Sequence, residues 1–207
     1  MEGLRVIERR HAGTATSRPA ENDADLALLR RSNAGDRNAF HELYSKYYHP
    51  LLRFIYRITG QLELAKEGIN DVMLAVWNGG KSFAGRSSVS TWIMGIAYHK
   101  ALKLSERSKR WSDRFASTDF EQWSEPSGTP EEHIYHMDIQ DLLGRGLEQL
   151  SAEHRAVVEL TYFYGYSYEQ IAAIVECPVN TVKTRMFYAR ARLRELVPAV
   201  GEDEPPS

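Results

Sequence analysis

Apolar positions recur every three to four residues along most of the chain, and no stretch sustains an alternation of period two. The pattern predicts helices in two groups. In the first group, one helix covers about Asp23 to Ala34, with Leu26, Leu28 and Leu29 inward or flanking, and Gly35 ends it. Asp36 caps a longer helix whose stripe is Phe40, Leu43, Tyr44, Tyr47, Leu51, Phe54, Ile55 and Ile58, and Gly60 stops it. Pro50 falls inside that stripe and should kink or break it. A third helix spans Leu62 to Trp77, with Ala65, Ile69, Val72, Met73, Val76 and Trp77 on one side. After a polar loop from Lys81 to Ser88, Ser90 is the expected N-cap of a fourth helix reaching about Lys109. Trp92, Ile93, Ile96 and Ala97 form its core face, while His99, Lys100, Lys103, Arg107, Lys109 and Arg110 crowd its later half.

Periodicity then lapses. Residues 111–129 carry Ser, Pro, Gly and acidic residues and read as a linker. The second group opens on Thr129-Pro130-Glu131-Glu132, which offers an N-cap, a first-turn proline and acids for the helix start. That helix should run to about Leu150, and Ser151 caps the next, which ends near Gly165. Ser167-x-x-Gln170 is a capping box for a short helix over Tyr168–Val175. Glu176-Cys177-Pro178 breaks it, and a last helix runs from Val179 to about Val197. The organisation is therefore an N-terminal extension (1–21), a helical domain (22–110), a linker (111–129), a second helical domain (130–197) and an acidic tail (198–207).

Charge sharpens this division. The formal net charge is only −2, but residues 22–110 hold 14 Lys/Arg against 8 Asp/Glu, and residues 111–150 hold 2 against 9. Val179–Arg194 has five basic residues and no acidic one. A basic block, an acidic connector and a basic helix in series point to a polyanion partner. No stretch is long and apolar enough to span a bilayer, and Met1–Glu21 lacks the apolar core of a secretory signal, so a cytoplasmic protein without membrane insertion is expected. The single cysteine, Cys177, excludes an internal disulfide and a multi-cysteine zinc site. Its expected role is small apolar packing. His133-x-x-His136-x-Asp138 shares one predicted helix face but has no further ligand at a motif-like spacing, so no metal or cofactor is expected. Phosphate loops, nucleophile elbows and paired-carboxylate motifs are missing, so the chain is not read as an enzyme.

The most specific signal is a short helix, a three-residue break and a longer basic helix, the helix-turn-helix pattern. The first turns of the second helix face base edges in the major groove. Here they carry Asn180, Thr181, Lys183, Thr184, Arg185 and Phe187. Lys and Arg donate to guanine, Asn pairs with adenine, and Thr or Phe meets the thymine methyl. Tyr188, Arg190, Arg192 and Arg194 are better placed for phosphates or protein contacts, and Ala172, Val182 and Met186 should pack the two helices together.

The run from Tyr168 to Arg185 closely resembles the region 4 helix-turn-helix of extracytoplasmic-function sigma factors, members of the sigma-70 family. The first group resembles that family's region 2 through Ala39-Phe40-x-x-Leu43-Tyr44, Leu51-Leu52-Arg53-Phe54, and Ser82-Phe83-x-Gly85-x-Ser87-x-x-x-Thr91-Trp92-Ile93-x-x-Ile96-Ala97. The resemblance covers about Asp23–Arg110 and Ile134–Val197, in the family's order. It implies two small helical domains, a region 2 bundle and a region 4 helix-turn-helix, joined by a flexible acidic linker. It also implies a monomer when free of partners, which directs RNA polymerase to promoters, melts DNA there and starts transcription of a stress- or signal-induced set of genes. The partners implied are the polymerase core (clamp coiled coil and flap), promoter DNA and an inhibitory anti-sigma factor.

Residue by residue, the resemblance places polymerase binding on Glu67, Asn70, Asp71, Met73 and Trp77. It places the minus-ten element on Phe83, Arg86, Ser87 and Ser88 of a base-capturing loop, and on His99, Lys100 and Lys103 of the adjoining helix. The minus-thirty-five contacts it implies are Lys183, Thr184, Phe187 and Tyr188. This chain departs from the family pattern at Asn70 (usually Gln), Gly68 (usually larger and apolar), His99 (often Asn), Glu176 (often Gly) and Tyr188 (often basic).

A flexible linker of about 19 residues relaxes to roughly 25 Å. Promoter elements two helical turns apart are separated by roughly 70 Å. The polymerase must therefore set the spacing, and the free protein should bind promoters weakly. The alternative from the residues alone is a stand-alone helix-turn-helix regulator acting as a dimer, which would need a palindromic operator.

Overall fold

A computed structural model describes residues 19–80, 83–112, 147 and 149–196. These form seven α-helices and no strand: α1 (Pro19–Asn33), α2 (Arg37–Thr59), α3 (Leu62–Gly79), α4 (Val89–Ser112), α5 (Ala152–Tyr162), α6 (Tyr168–Ile174) and α7 (Val179–Leu196). The predicted helix over 130–150, most of the linker, the His133–Asp138 cluster and both chain ends lie outside the described residues.

The local signals account for most boundaries. Asp36 Oδ1 accepts from the backbone N–H of Asn38 and Ala39 at the start of α2, and Gly60 closes it in the left-handed conformation (φ 71°). Ser151 accepts from the His154 N–H ahead of α5. The capping box of α6 is complete, since Ser167 accepts from the Gln170 N–H and Gln170 accepts from the Ser167 N–H.

Several features differ from expectation, beyond shifts of a few residues at helix ends. α1 begins at Pro19, because a proline at the first helical position is already set for the turn. α4 begins at Val89 and is capped by Ser88, whose hydroxyl accepts from the Thr91 N–H at 3.1 Å; Ser90 is already inside the helix. α2 runs unbroken through Pro50. Leu43, Tyr47, Leu51, Phe54 and Ile55 are all buried on either side of it, and this burial outweighs one missing backbone hydrogen bond.

Helices α1 to α4 pack around Leu43, Leu51, Phe54, Ile55, Ile69, Met73 and Ile93, each almost fully buried. Helices α5 to α7 close on Leu160, Ile171, Ile174 and Met186. The two groups are continuous: one apolar core runs through both, with α4 packed on α6 and α2 on α5. At the α1–α2 contact, the buried Asp25 accepts from Lys46 Nζ at 2.6 Å and from the Tyr47 hydroxyl, which satisfies a carboxylate that burial would otherwise penalise. No described helix is long and apolar enough to cross a membrane.

Candidate nucleic-acid interface

The turn between α6 and α7 is built as a helix-turn-helix requires. α6 ends with the Val175 N–H on the Ile171 carbonyl, and the Cys177 N–H reaches the Ala172 carbonyl. Glu176 stands between them at φ 50°, the one non-glycine in the left-handed region among the described residues. Val182 (0% exposed) and Met186 (1%) pack beneath α7. This support turns Asn180, Lys183, Thr184, Phe187 and Tyr188 outward, with Thr181 half-buried. Phe187 and Tyr188 are 68% and 59% exposed and meet edge to face at 5.6 Å. Large aromatic rings so exposed on a helix otherwise rich in Arg and Lys are unusual for a surface that meets only water. The Thr184 hydroxyl donates to the Asn180 carbonyl at 2.9 Å, which fixes its side chain at the first turns.

Arg185 behaves differently from its neighbours. It is half-buried, its Nη1 is buried without a hydrogen-bond partner, and its guanidinium lies beside the Tyr98 phenol of α4. Arg190 and Arg192 are engaged within the protein: Arg190 Nε donates to the Tyr162 hydroxyl at 2.9 Å, and Arg192 pairs with Glu195 at 2.9 Å.

On the other module, α3 presents a stripe of one helical period: Glu67 and Asn70 exposed, Asp71 and Trp77 half-buried. Met73 does not belong to this stripe. It is 1% exposed in the core, so its expected role as a polymerase contact is corrected to support from beneath. Leu74, 58% exposed, occupies the stripe instead. The spacing 67, 70, 71, 74, 77 is the sequence signal that picks it out. Aromatic residues of α2 flank the stripe: Phe40 meets Trp77 edge to face at 4.9 Å, and the Tyr44 hydroxyl donates to Asn70 Oδ1 at 3.2 Å.

The acids of the stripe are tied to the bases of α4. Glu67 receives both arms of Arg107, and Lys100 Nζ lies 3.0 Å from Asp71 Oδ2. The hydrogen bond from Arg107 holds the Glu67 carboxyl below its ordinary range. Gly68, beneath the stripe, is buried. A Cβ there would lie 3.0 Å from Leu104 Cδ1 and 3.1 Å from both Ile55 Cδ1 and Ile55 Cγ2. Its departure from the family pattern is therefore a matter of helix packing.

In the loop before α4, Phe83 leans on Trp92 with ring centroids 5.3 Å apart, Arg86 is exposed, and Ser87 and Ser88 are half-buried. The Ser88 hydroxyl is occupied as the α4 cap and shares hydrogen bonds with Ser90 and Thr91. Further along α4, His99 and Lys103 are exposed and Lys100 half-buried. Lys100 and Lys103 lie further along the helix into which the loop leads, Lys100 tied to Asp71, while His99 Nε2 points across to Glu176 Oε2 at 3.6 Å.

Known proteins match both modules. The family model for sigma-70 region 2 matches residues 43–111, and that for sigma-70 region 4 matches residues 140–193. The chain is 29% identical to the RNA polymerase sigma factor YlaC of Bacillus subtilis, over 81% of this chain and 97% of that protein. It is 28% identical to the ECF RNA polymerase sigma-E factor of Escherichia coli, over 83% of this chain and 93% of that protein. The chain belongs to the sigma-70 family, in its extracytoplasmic-function group. Among solved structures, CnrH in complex with the cytosolic domain of CnrY shares the fold, with a TM-score of 0.61 at 21% identity over 84% of this chain and 96% of that one. The sigma factor RpoE of Bartonella quintana, in complex with the anti-sigma factor NepR, aligns with a TM-score of 0.59 at 26% identity over 76% of this chain and 95% of that one. In this sigma factor, region 2 therefore corresponds to α2–α4 and region 4 includes α5–α7.

Proposed function

We propose that this sigma factor directs core RNA polymerase to promoters by docking the α3 stripe on the enzyme, reading the minus-ten element with α4 and its preceding loop, and reading the minus-thirty-five element with α7. The observation that carries this reading is the outward face of α7: Asn180, Lys183, Thr184, Phe187 and Tyr188 are exposed over a buried Val182–Met186 support. Lys183 supplies a donor for a guanine edge, and Thr184 and Phe187 supply methyl and ring surface for thymine. The exposed Leu74, with half-buried Trp77 beside it and Glu67 and Asp71 at its flank, has the apolar centre and charged rim of a protein-docking surface. In this reading Phe83, Arg86 and Ser87 of the loop hold an unstacked base while Ser88 caps α4, and the exposed Lys103 meets the phosphate backbone. The catalysis belongs to the polymerase. An anti-sigma factor, of the kind bound to the Bartonella relative, would act by covering the α3 stripe or α7.

The test is assembly with bacterial core polymerase followed by run-off transcription from a promoter library. A stable holoenzyme with a defined start site is expected. Lys183→Glu should lower use of promoters selected through their upstream element by about tenfold, the loss of one good base contact. Assembly without any change in promoter choice would remove α7 from its role.

A further inference from the structure

The loop before α4 is gripped at both ends by α1. At its far end, the Val89 N–H that opens α4 donates to Asn22 Oδ1 at 2.9 Å. The first donors of a helix have no partner within it. Ser88 satisfies the Thr91 N–H from inside the loop, and Asn22 satisfies Val89 from 67 residues away. At the near end, the chain turns back on Gly80, whose carbonyl accepts from the Phe83 N–H at 3.2 Å. Gly80 is buried, and the Asn33 amide packs against it. A Cβ at Gly80 would stand 2.8 Å from Asn33 Cγ and 2.9 Å from Nδ2, and closer still to Oδ1. The Gly80 backbone is right-handed (φ −58°), a conformation open to any residue, so the contact alone asks for glycine.

Both gripping residues stand on one face of α1. Asn22, Leu26, Leu29 and Asn33 follow one another at spacings of four, three and four residues. Leu29 is 1% exposed, and Asp25 fastens the same helix to α2 through Lys46 and the Tyr47 hydroxyl. The two asparagines are thus held about 16 Å apart along a helix that is itself anchored. A pocket for an unstacked base works only when its groups are kept within about 0.5 Å of their productive positions. α1 precedes the residues that match region 2, and no motif marks Asn22 or Asn33.

We propose that α1 braces the base-holding loop, with Asn22 and Asn33 as positioning residues that fix its two ends for the capture of an unstacked minus-ten base. The inference rests on the reading of Phe83, Arg86 and Ser87 as the groups that hold that base. Both asparagines act through the backbone they fix.

The experiment uses holoenzyme assembled from the full chain and core polymerase, on a promoter taken from the run-off library and prepared with its minus-ten element already unpaired. The non-template bases of that element are removed one at a time, leaving abasic sugars. For the unsubstituted protein, removal at one position should weaken binding by about tenfold, the loss of one good base contact. Asn22→Ala should weaken binding to the intact promoter by about fivefold, as a lost helix cap does. The same base removal should then cost less than about twofold, because the two losses share one contact. Gly80→Ala, which displaces the Asn33 amide at the other end of the loop, should act alike, and it carries the test if Asn22→Ala does not assemble with core polymerase. Asn22→Asp keeps the acceptor for Val89 and should restore the dependence on that base. The readout is the ratio of intact to abasic binding, which a mere loss of stability leaves unchanged because it lowers both in proportion. Full dependence on the base in either alanine variant overturns the brace while the loop keeps its role, and failure of Asn22→Asp to restore it overturns the brace likewise. Indifference of the unsubstituted holoenzyme to every removed base overturns the loop's role and the brace with it.

Discussion

Gly68 gives up about 1 kcal/mol of helix propensity relative to Ala. The return is proximity: without a Cβ, α3 lies close against Ile55 of α2 and Leu104 of α4. Both neighbours are buried, and Ile55 Cγ2 sits on a stiff β-branched side chain that has little room to yield. Overpacking a core costs about 1–3 kcal/mol. Gly68→Ala should therefore lower stability by up to about 2 kcal/mol despite its better propensity, read as a shift in the chemical denaturation midpoint. The sequence marks Gly68 as anomalous within a helix but says nothing of its neighbours, since Ile55 and Leu104 are distant along the chain. Glu176 is the reverse case. A turn residue was legible there, and its left-handed backbone is the physical reason a glycine suits that position.

At the scale of elements, faces were legible and their depth was not. Caps at Asp36, Ser151 and Ser167 follow from local hydrogen bonding, so the sequence places them correctly. The apolar stripe of α3 is equally visible, yet it does not reveal which large apolar residue stays outside. Met73 and Leu74 are neighbours of similar size, and only the packing of α2 and α4 decides that Met73 is buried and Leu74 exposed. The two should separate cleanly in experiment. Leu74→Asp should leave the unfolding free energy within about 0.5 kcal/mol of the unsubstituted protein. It should weaken binding to core polymerase by tenfold or more, about 1.4 kcal/mol. Met73→Ala should instead cost about 2–5 kcal/mol of stability. Fluorescence-detected binding and urea denaturation on the same preparations check both. Pro50 is a case where a local rule lost to tertiary context, because buried residues on both sides of it hold α2 continuous.

For the whole molecule, two helical groups in sequence were legible from periodicity and charge, and their union into one core was not. Arg57, Glu159, Phe163 and Tyr164 belong to no motif and repeat with no period, so nothing marks them as partners until the chain is folded. Arg57 lies over the Phe163 ring and 3.6 Å from the fully buried Glu159, and this makes the contact between the two groups sensitive to pH. Burial pushes the Glu159 carboxyl up to about 7, against the pull of Arg57, Arg155 and Arg53, while the nearby Tyr164 hydroxyl stays neutral. In the unfolded chain this carboxyl meets water and has its ordinary value of 4.5. The folded form then holds its proton more tightly. The resulting stabilisation is complete below 4.5 and is lost as pH rises through about 7. Stability, read as the midpoint of urea denaturation, should fall from about pH 5 to pH 8 through this group. Glu159→Gln, which cannot ionise, should flatten that dependence.

The contact between the two groups is also apolar. Phe54, Ile174 and Tyr98 are buried where the two groups meet, and Phe163 and Tyr164 pack against the same core. Apolar attraction of this kind is driven by water's entropy near room temperature and fades on chilling, while backbone hydrogen bonds inside each helix do not fade with it. Chilling therefore weakens the joint between the halves together with the apolar core inside each half.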